Sequence, residues 1–364
     1  MKKNESFKTI KYFLFRNISF IKCFIFICSL IYIITSKTKK KIGVLSVFYD
    51  HNAGNNLVKF SMYIKLKELG FDPTIIALPT KKNIYFLKKH VKYKVIKKNF
   101  LELREKDYDI LMVNSDQTWN GVLKYIDNIF NVGFLKFAEN WTIPRFVYGA
   151  SLGVGFWKFP KKFDIISGRL LKKFSGVSVR EIGAIEKVKN HLGIHPEYVL
   201  DPTLIIEKKY YLDLIKDFKF NFKEKYLCVY QLDKNILIEK LIKNASQLFN
   251  YKIYEINLFK GKYIENFISC INNSKAVITD SFHGTIFSII FEKPFITYLN
   301  KKRGNDRFFT LIKIFNISKR IVSQKNFKKV NINLLKTPLY INQTVLNYLK
   351  NKSIHFLKKN LNIT

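Results

Sequence analysis

Apolar and polar positions change rhythm along this chain at about residue 42. From there, short apolar runs alternate with stretches whose apolar residues recur at helical spacing. IGVLSVF at 42–48 predicts a buried strand, and DHNAGNN at 50–56 a turn-rich loop after it. Asn55 or Asn56 then starts an amphipathic helix through Leu69, closed by Gly70. PTIIAL at 73–78 is a second strand, which completes the strand–loop–helix–strand unit of a parallel sheet. Further strands are predicted at 109–115, 145–151, 176–181 and 197–203. After Pro202 a polar, lysine-rich stretch runs to Lys225. A second series follows, with strands at 226–232, 251–258, 276–281 and 294–299 and helices at about 233–249, 261–273 and 284–292.

Two successive βα series predict an α/β fold of two Rossmann-like domains, 42–206 and 207–364, the second ending in a helix. A length of 364 residues agrees, because single cores stop growing below that size. In such sheets ligands bind beyond the carboxyl ends of the strands. That rule directs attention to the loops after residues 48, 115, 151, 180, 232, 281 and 299.

Before residue 42 the pattern is different. Residues 13–35 form an apolar run with lysines crowded at both ends. No small-residue cleavage site follows it, which argues against a secretory signal. Arg16 and Lys22 leave only about a dozen uninterrupted apolar residues, short of the roughly 20 that a spanning helix needs. Lys2, Lys3, Lys8 and Lys11 before the run balance Lys37, Lys39, Lys40 and Lys41 after it, so charge gives no orientation. Residues 1–41 are therefore expected to form a basic, apolar N-terminal helix lying in the membrane interface. A single span and a helix packed on the protein are the alternatives. The expected location is the cytoplasmic face of a membrane, with the inner leaflet as a partner.

The formal net charge is +37. Its lysines are spread along the whole chain and form no stripe, and no nucleic-acid-binding module is present, so nucleic acid is not an expected partner. The charge suits an anionic substrate. Cys23, Cys28, Cys228 and Cys270 show neither CxxC nor zinc-like spacing, which argues against a disulfide framework or a structural metal. No cofactor is expected.

Chemistry concentrates at four strand ends. NSDQTWN (114–120) offers Asp116, Gln117, Trp119 and Asn120, and ASLG (150–153) permits close backbone approach. SVREIGA (178–184) offers Arg180 and Glu181; TDSFHGT (279–285) offers Asp280, Ser281 and His283, with a helix starting near Gly284. A histidine at a strand-to-helix junction can move protons near neutral pH, and the helix N–H groups can receive an anion. The bland alternative for His283 is a capping or packing role. Arg180 suits bidentate grip of a carboxylate or phosphate, and a plain salt bridge with Glu181 is its alternative. Lys302, Arg303 and Arg307 form a third basic cluster that a solvated loop would also explain. Asn55 and His51 lie in the first strand-end loop. His191 and His195 are separated by Gly193, and Asp107 and Asp109 read as solvation at a strand start, so none of these suggests a metal site.

In this order, IGVLSVFYDHNAGNN, DYDILMVNSDQTWN, YGASLG, SVREIGA, VLDPTLII, VITDSFHGTIFSIIFEKPFITY and GNDRFFTLI resemble the polysaccharide pyruvyl transferase family over roughly residues 42–322. The resemblance implies two Rossmann-like domains facing a central cleft, as in GT-B glycosyltransferases. It also implies transfer of a pyruvyl group from phosphoenolpyruvate to a sugar of a cell-surface polysaccharide, forming a ketal on a free or lipid-linked glycan. This likeness implies the catalytic role for His283 and donor binding for Arg180 and for one of Lys302, Arg303 and Arg307; which cluster residue meets the donor stays open. From their strand-end positions, Asp280 is expected beside His283 in catalysis, and Asp116, Gln117, Ser281, Gly284 and Asn55 in substrate binding. A GT-B glycosyltransferase using a nucleotide sugar shares the architecture. A non-enzymatic basic surface protein would explain the charge and leave the strand-end residues idle.

Overall fold

In the computed structural model, residues 39–47, 52–77, 85–96, 99–121, 126–153, 155–256, 262–300 and 304–363 are described. The segment 13–35 with Cys23 and Cys28, together with His51, Lys302 and Arg303, lies outside the described residues. Among the described residues, no helix is long and apolar enough to cross a membrane.

Residues 41–364 pack as one compact unit that holds two parallel sheets. The first series is β1 (Lys41–Leu45), α1 (Ala53–Glu68), β2 (Asp72–Ala77), α2 (Tyr85–His90), β3 (Tyr93–Val95) and β4 (Ile110–Val113). It continues through α3 (Ile126–Gly133), β5 (Arg145–Ala150), α4 (Lys161–Leu171), β6 (Gly176–Val179), α5 (Ala184–Leu192) and β7 (Glu197–Tyr198). Its strands are ordered β3-β2-β1-β4-β5-β6-β7. The second series is α6 (Lys208–Ile215), β8 (Tyr226–Tyr230), α7 (Ile236–Phe249), β9 (Lys252–Glu255), α8 (Tyr263–Asn273) and β10 (Ala276–Thr279). It ends with α9 (Phe282–Ile290), β11 (Phe295–Tyr298), α10 (Asp306–Phe315), β12 (Ile321–Val322) and α11 (Gln343–Asn360). This sheet is ordered β12-β11-β10-β8-β9.

Local chemistry sets the boundaries. α1 starts because the Asn52 side chain accepts the Asn55 N–H at 3.1 Å. It stops where Gly70 takes φ +89°, which a side chain would disfavour. The stretch predicted as a strand at 197–203 pairs only over Glu197–Tyr198, because Pro202 cannot donate to a ladder and opens a 3₁₀ turn at Pro202–Leu204 instead. β3 and β12, short strands of three and two residues, were too brief for their periodicity to announce them.

The expected placement of α11 within a second domain is corrected. Phe356 of α11 packs on Phe146 and Tyr148 of β5, and Ser353 accepts the Leu200 N–H at 2.9 Å. The apolar face of this helix therefore covers the first sheet. One continuous core runs from α1 through α6, α8 and α9 into β8 and β10, with Tyr211, Phe267 and Phe287 stacked edge to face at its centre. α9 is buried from Phe282 to Ile289, as a helix this rich in apolar residues must be, and its first turn borders open space. Shared packing thus fixes how the two sheets face each other.

Candidate active site

In each sheet the strand order reverses once, between β1 and β4 in the first and between β8 and β10 in the second. Parallel sheets bind ligands at such reversals, beyond the carboxyl ends of the strands. Here the two reversals meet across a cleft of about 200 Å³. Asn52, Gln117, Asn120, Gly153 and Lys158 line it from the first sheet. Leu232, Asp280, Ser281, Phe282, His283 and Arg307 line it from the second. A larger depression of about 630 Å³ between α4 and α5 holds none of the strand-end residues, and it is a groove between neighbouring helices.

His283 sits in the first turn of α9. Ser281 caps that helix, with its Oγ accepting the Gly284 N–H at 3.3 Å and its carbonyl accepting the Thr285 N–H at 3.0 Å. The imidazole is nearly buried, and its Nε2 lies 3.7 Å from Oδ2 of Asp201. That is ion-pair range and beyond hydrogen-bond reach. Among the described residues Nε2 has no hydrogen-bond partner. On another side the ring meets α1 at Gly54, where a Cβ would fall 2.0 Å from Nδ1. Only a glycine lets α1 and α9 approach this closely.

Asp201 caps the 3₁₀ turn. Its Oδ1 accepts the Thr203 N–H at 3.0 Å and hydroxyl at 2.6 Å, and its Oδ2 accepts from Arg180 Nη1 at 2.6 Å. Burial alone would raise this carboxyl, but the Arg180 guanidinium overrides it with help from His283 and Thr203, so Asp201 lies well below the usual carboxylate range. Asp116 behaves alike: burial pushes it up, while Arg180, His283, Asn55 and Lys59 together bring it down. Asp116 also holds φ at 102°, an uncommon conformation that aims its backbone carbonyl at the Ser151 N–H.

Several sequence expectations need correction here. Arg180 does not face the cleft as a substrate grip. It is buried, donates to Asp201, to Asp116 at 3.1 Å and to Glu181 at 3.3 Å, and stacks over Phe282 at 5.0 Å. Three carboxylates around one guanidinium make it the keystone of a buried ion cluster. Asp280 lines the cleft, but Oδ1 accepts the Leu232 N–H at 2.7 Å and Oδ2 the Asp233 N–H at 3.1 Å, so its carboxylate pins the β8 loop. The Gly284 N–H is spent on Ser281, and the absent side chain of Gly284 allows contact with Thr279, which a Cβ would approach to 2.4 Å. Asn55 and Asp116 bond each other at 2.6 Å beneath the cleft floor.

Gln117 and Arg307 do reach the cleft. Lys158 Nζ donates to Asn120 at 3.4 Å and Asn120 donates to Gln117 at 2.9 Å, so one cation and two amides form a ladder on the first wall. Arg307 stands opposite, 5.1 Å over the Phe282 ring. Trp119 is core, stacked on Phe134, and His191 pairs with Asp164 at 2.9 Å away from the cleft. Asp109 accepts the Lys41 N–H at 2.7 Å at the start of the sheet. Among the described residues no group of three or more His, Cys, Asp or Glu side chains could hold a metal ion.

Sequence reading missed Asp201, Gly54, Lys59 and Lys158. Asp201 stood in the quoted VLDPTLII without a role, and nothing local linked it to a histidine 82 positions away. Lys59 is the least expected. It is wholly buried on α1, donates to the Asn55 carbonyl at 3.2 Å and to the Asn55 Oδ1, and burial lowers it to about 7 against the opposing pull of Asp116. Glu181 is raised by burial, in spite of Arg180, Ser151 and Arg307.

A family model for polysaccharide pyruvyl transferase matches residues 52–302, which contain every strand-end element of the cleft except α10. Against curated protein sequences the chain has no significant match. Among solved structures, a putative UDP-N-acetylglucosamine 2-epimerase from Listeria monocytogenes is similar, with TM-score 0.53 and 10% identity over 89% of this chain and 97% of that one. The S. aureus MnaA–UDP structure gives 0.52 and 11% over 90% and 98%. A UDP-GlcNAc 2-epimerase from Neisseria meningitidis bound to UDP-GlcNAc gives 0.52 and 8% over 88% and 100%. At such identities these likenesses establish the α/β arrangement of facing parallel sheets, similar to GT-B enzymes, and nothing about substrates.

Proposed function

Because the chain belongs to the polysaccharide pyruvyl transferase family, we propose that it transfers the pyruvyl group of phosphoenolpyruvate to two hydroxyls of a glycan, forming a ketal. The observation that carries this reading is the placement of His283 in a polar cleft between two strand-order reversals, backed by the carboxylate of Asp201 and flanked by Arg307 and Lys158.

The donor has a carboxylate and a phosphate, and its reacting centre is the carbon that bears the phosphoryl oxygen. In the proposed sequence the His283 imidazolium gives a proton to the donor methylene, and positive charge develops on the adjacent carbon. A first glycan hydroxyl adds there and its proton returns to His283. The carbon–oxygen bond to phosphate then breaks with its electron pair leaving on phosphate. A second hydroxyl attacks the same carbon and its proton leaves with the phosphate. Two hydroxyl protons thus become one methyl hydrogen and one phosphate proton, and no oxidant is needed. Asp201 Oδ2, 3.7 Å from Nε2, is the carboxylate set behind the ring that carries the proton. Arg307 and Lys158 stabilise the departing phosphate as charged hydrogen-bond donors. The amides of Asn52, Gln117 and Asn120 match uncharged sugar hydroxyls on the first wall.

The N-terminal segment fits attachment to the inner membrane leaflet, where lipid-linked glycans are built, and its deletion should release the protein to the soluble fraction. The functional reading is tested by calorimetric titration with phosphoenolpyruvate and, separately, with UDP. Binding of phosphoenolpyruvate that weakens in Arg307→Ala supports it; binding of UDP alone would replace it with a nucleotide-sugar enzyme.

A further inference from the structure

Lys59 has no place in the chemistry above, yet a chain of contacts joins it to the histidine. Its Nζ donates to Asn55, whose amide donates to Asp116 Oδ2 at 2.6 Å. Asp116 accepts from Arg180 at 3.1 Å, Arg180 donates to Asp201 at 2.6 Å, and Asp201 faces His283 at 3.7 Å. All six side chains are buried. Three carboxylates surround one permanent guanidinium, and even with Glu181 raised by burial the two held ionised, Asp116 and Asp201, outnumber it, so the cluster carries a negative charge that either Lys59 or His283 can balance.

We propose that Lys59 is a positioning residue that sets how readily His283 releases its proton, through the buried Asp116–Arg180–Asp201 chain they share. This rests on the reading of His283 as the proton carrier. The groups that face this cluster come from each packed element: Asp116 from the end of β4, Arg180 and Glu181 from the end of β6, Tyr198 from β7, Asp201 from the 3₁₀ turn, His283 from α9 and Arg307 from α10. Along the same helix, Tyr211 of α6 meets Ser61 at 2.7 Å and Tyr263 of α8 meets Asn56 at 2.6 Å. Burial holds the Tyr211 phenol well above its ordinary range, so it adds no charge. Lys59 is lowered to about 7 by burial, which puts its proton within reach of the same pH range in which a histidine works. Such groups titrate as a pair: when one loses its proton, the cluster becomes more negative and holds the other proton more firmly.

The test is an NMR titration of the His283 ring in the full chain, assigned by the signal lost in His283→Asn, in wild type and Lys59→Met. Removing the ammonium should move the His283 midpoint up by roughly one pH unit, a tenfold gain in proton affinity. The high-pH limb of the phosphate-release profile should move up with it. A merely structural lysine would lower activity and leave both midpoints where they were, and that result overturns the proposal. The wild-type curve is a check independent of any variant: it should be broader than a one-proton titration, and a simple one-proton curve refutes the coupling. The ring titration needs no turnover. An unmoved midpoint in an active enzyme therefore removes Lys59 alone, whereas no phosphate release from wild type removes the functional reading.

Discussion

Gly54→Ala sets two known effects against each other at the contact between α1 and α9. Within a helix, alanine is favoured over glycine by about 1 kcal/mol, which on its own would stabilise the protein. The new Cβ, however, would fall 2.0 Å from Nδ1 and 2.2 Å from Cγ of His283, where real contacts essentially never fall below 3.0 Å. Ring and helix must separate by about 1 Å. The imidazole has little room to give, with the Phe282 ring centroid 5.3 Å from its own and Asp201 at 3.7 Å. Overpacking of this kind costs about 1–3 kcal/mol, so the net stability change is small or mildly unfavourable. Misplacing a reacting group by about 1 Å costs roughly 10²-fold in rate. The expected outcome is thus a protein that melts close to wild type and releases phosphate about a hundredfold more slowly. Gly183→Ala is the matched control, since its Cβ would meet nothing closer than 3.5 Å. A Gly54→Ala enzyme with wild-type turnover would refute the claim that ring position governs the reaction.

Arg180→Ala should act on the fold ahead of the chemistry, because it strands three buried carboxylates; a loss of about 3–5 kcal/mol is expected in urea unfolding. A stable Arg180→Ala protein with only a raised KM for phosphoenolpyruvate would restore the arginine as a substrate ligand. Arg307→Ala removes a cation that ties no cluster of three carboxylates, so it should cost less stability than Arg180→Ala and raise the apparent KM for the donor, as steady-state phosphate release would read. Asp116 and Asp201 are depressed in the folded protein, so their contribution is complete above the unfolded carboxylate value near 3.9 and is lost as pH falls below it. The urea midpoint should therefore hold from pH 7 to about pH 5 and drop below about pH 4; a midpoint that holds to about pH 3 would contradict the ion cluster.

The parallel strands and the strand-end loops were legible because buried runs such as ILMV at 110–113 and AVIT at 276–279 carry their own signal. His283 was legible for the same reason: it follows such a run by a few residues. Roles that depend on convergence were not. Arg180 looks the same in sequence whether it faces a ligand or three carboxylates, and the difference is made by Asp116 and Asp201, 64 and 21 positions away. Lys59 lies among Val58, Phe60 and Ser61 on a helix that reads as amphipathic, and only the packing of α6, α8 and α9 over that helix takes its polar face from water. α11 was misplaced because the face a helix covers depends on where the chain returns, which periodicity does not encode.

The central claim is most directly tested by incubating the purified full chain with phosphoenolpyruvate and a set of bacterial glycans, then following phosphate release and the mass of the glycan together. The account predicts one phosphate released for each glycan that gains the mass of pyruvate less one water, in an acid-labile linkage, with both signals lost in His283→Gln while phosphoenolpyruvate binding persists. Release of UDP from a nucleotide sugar with phosphoenolpyruvate left intact, or full ketal formation by His283→Gln, would contradict it.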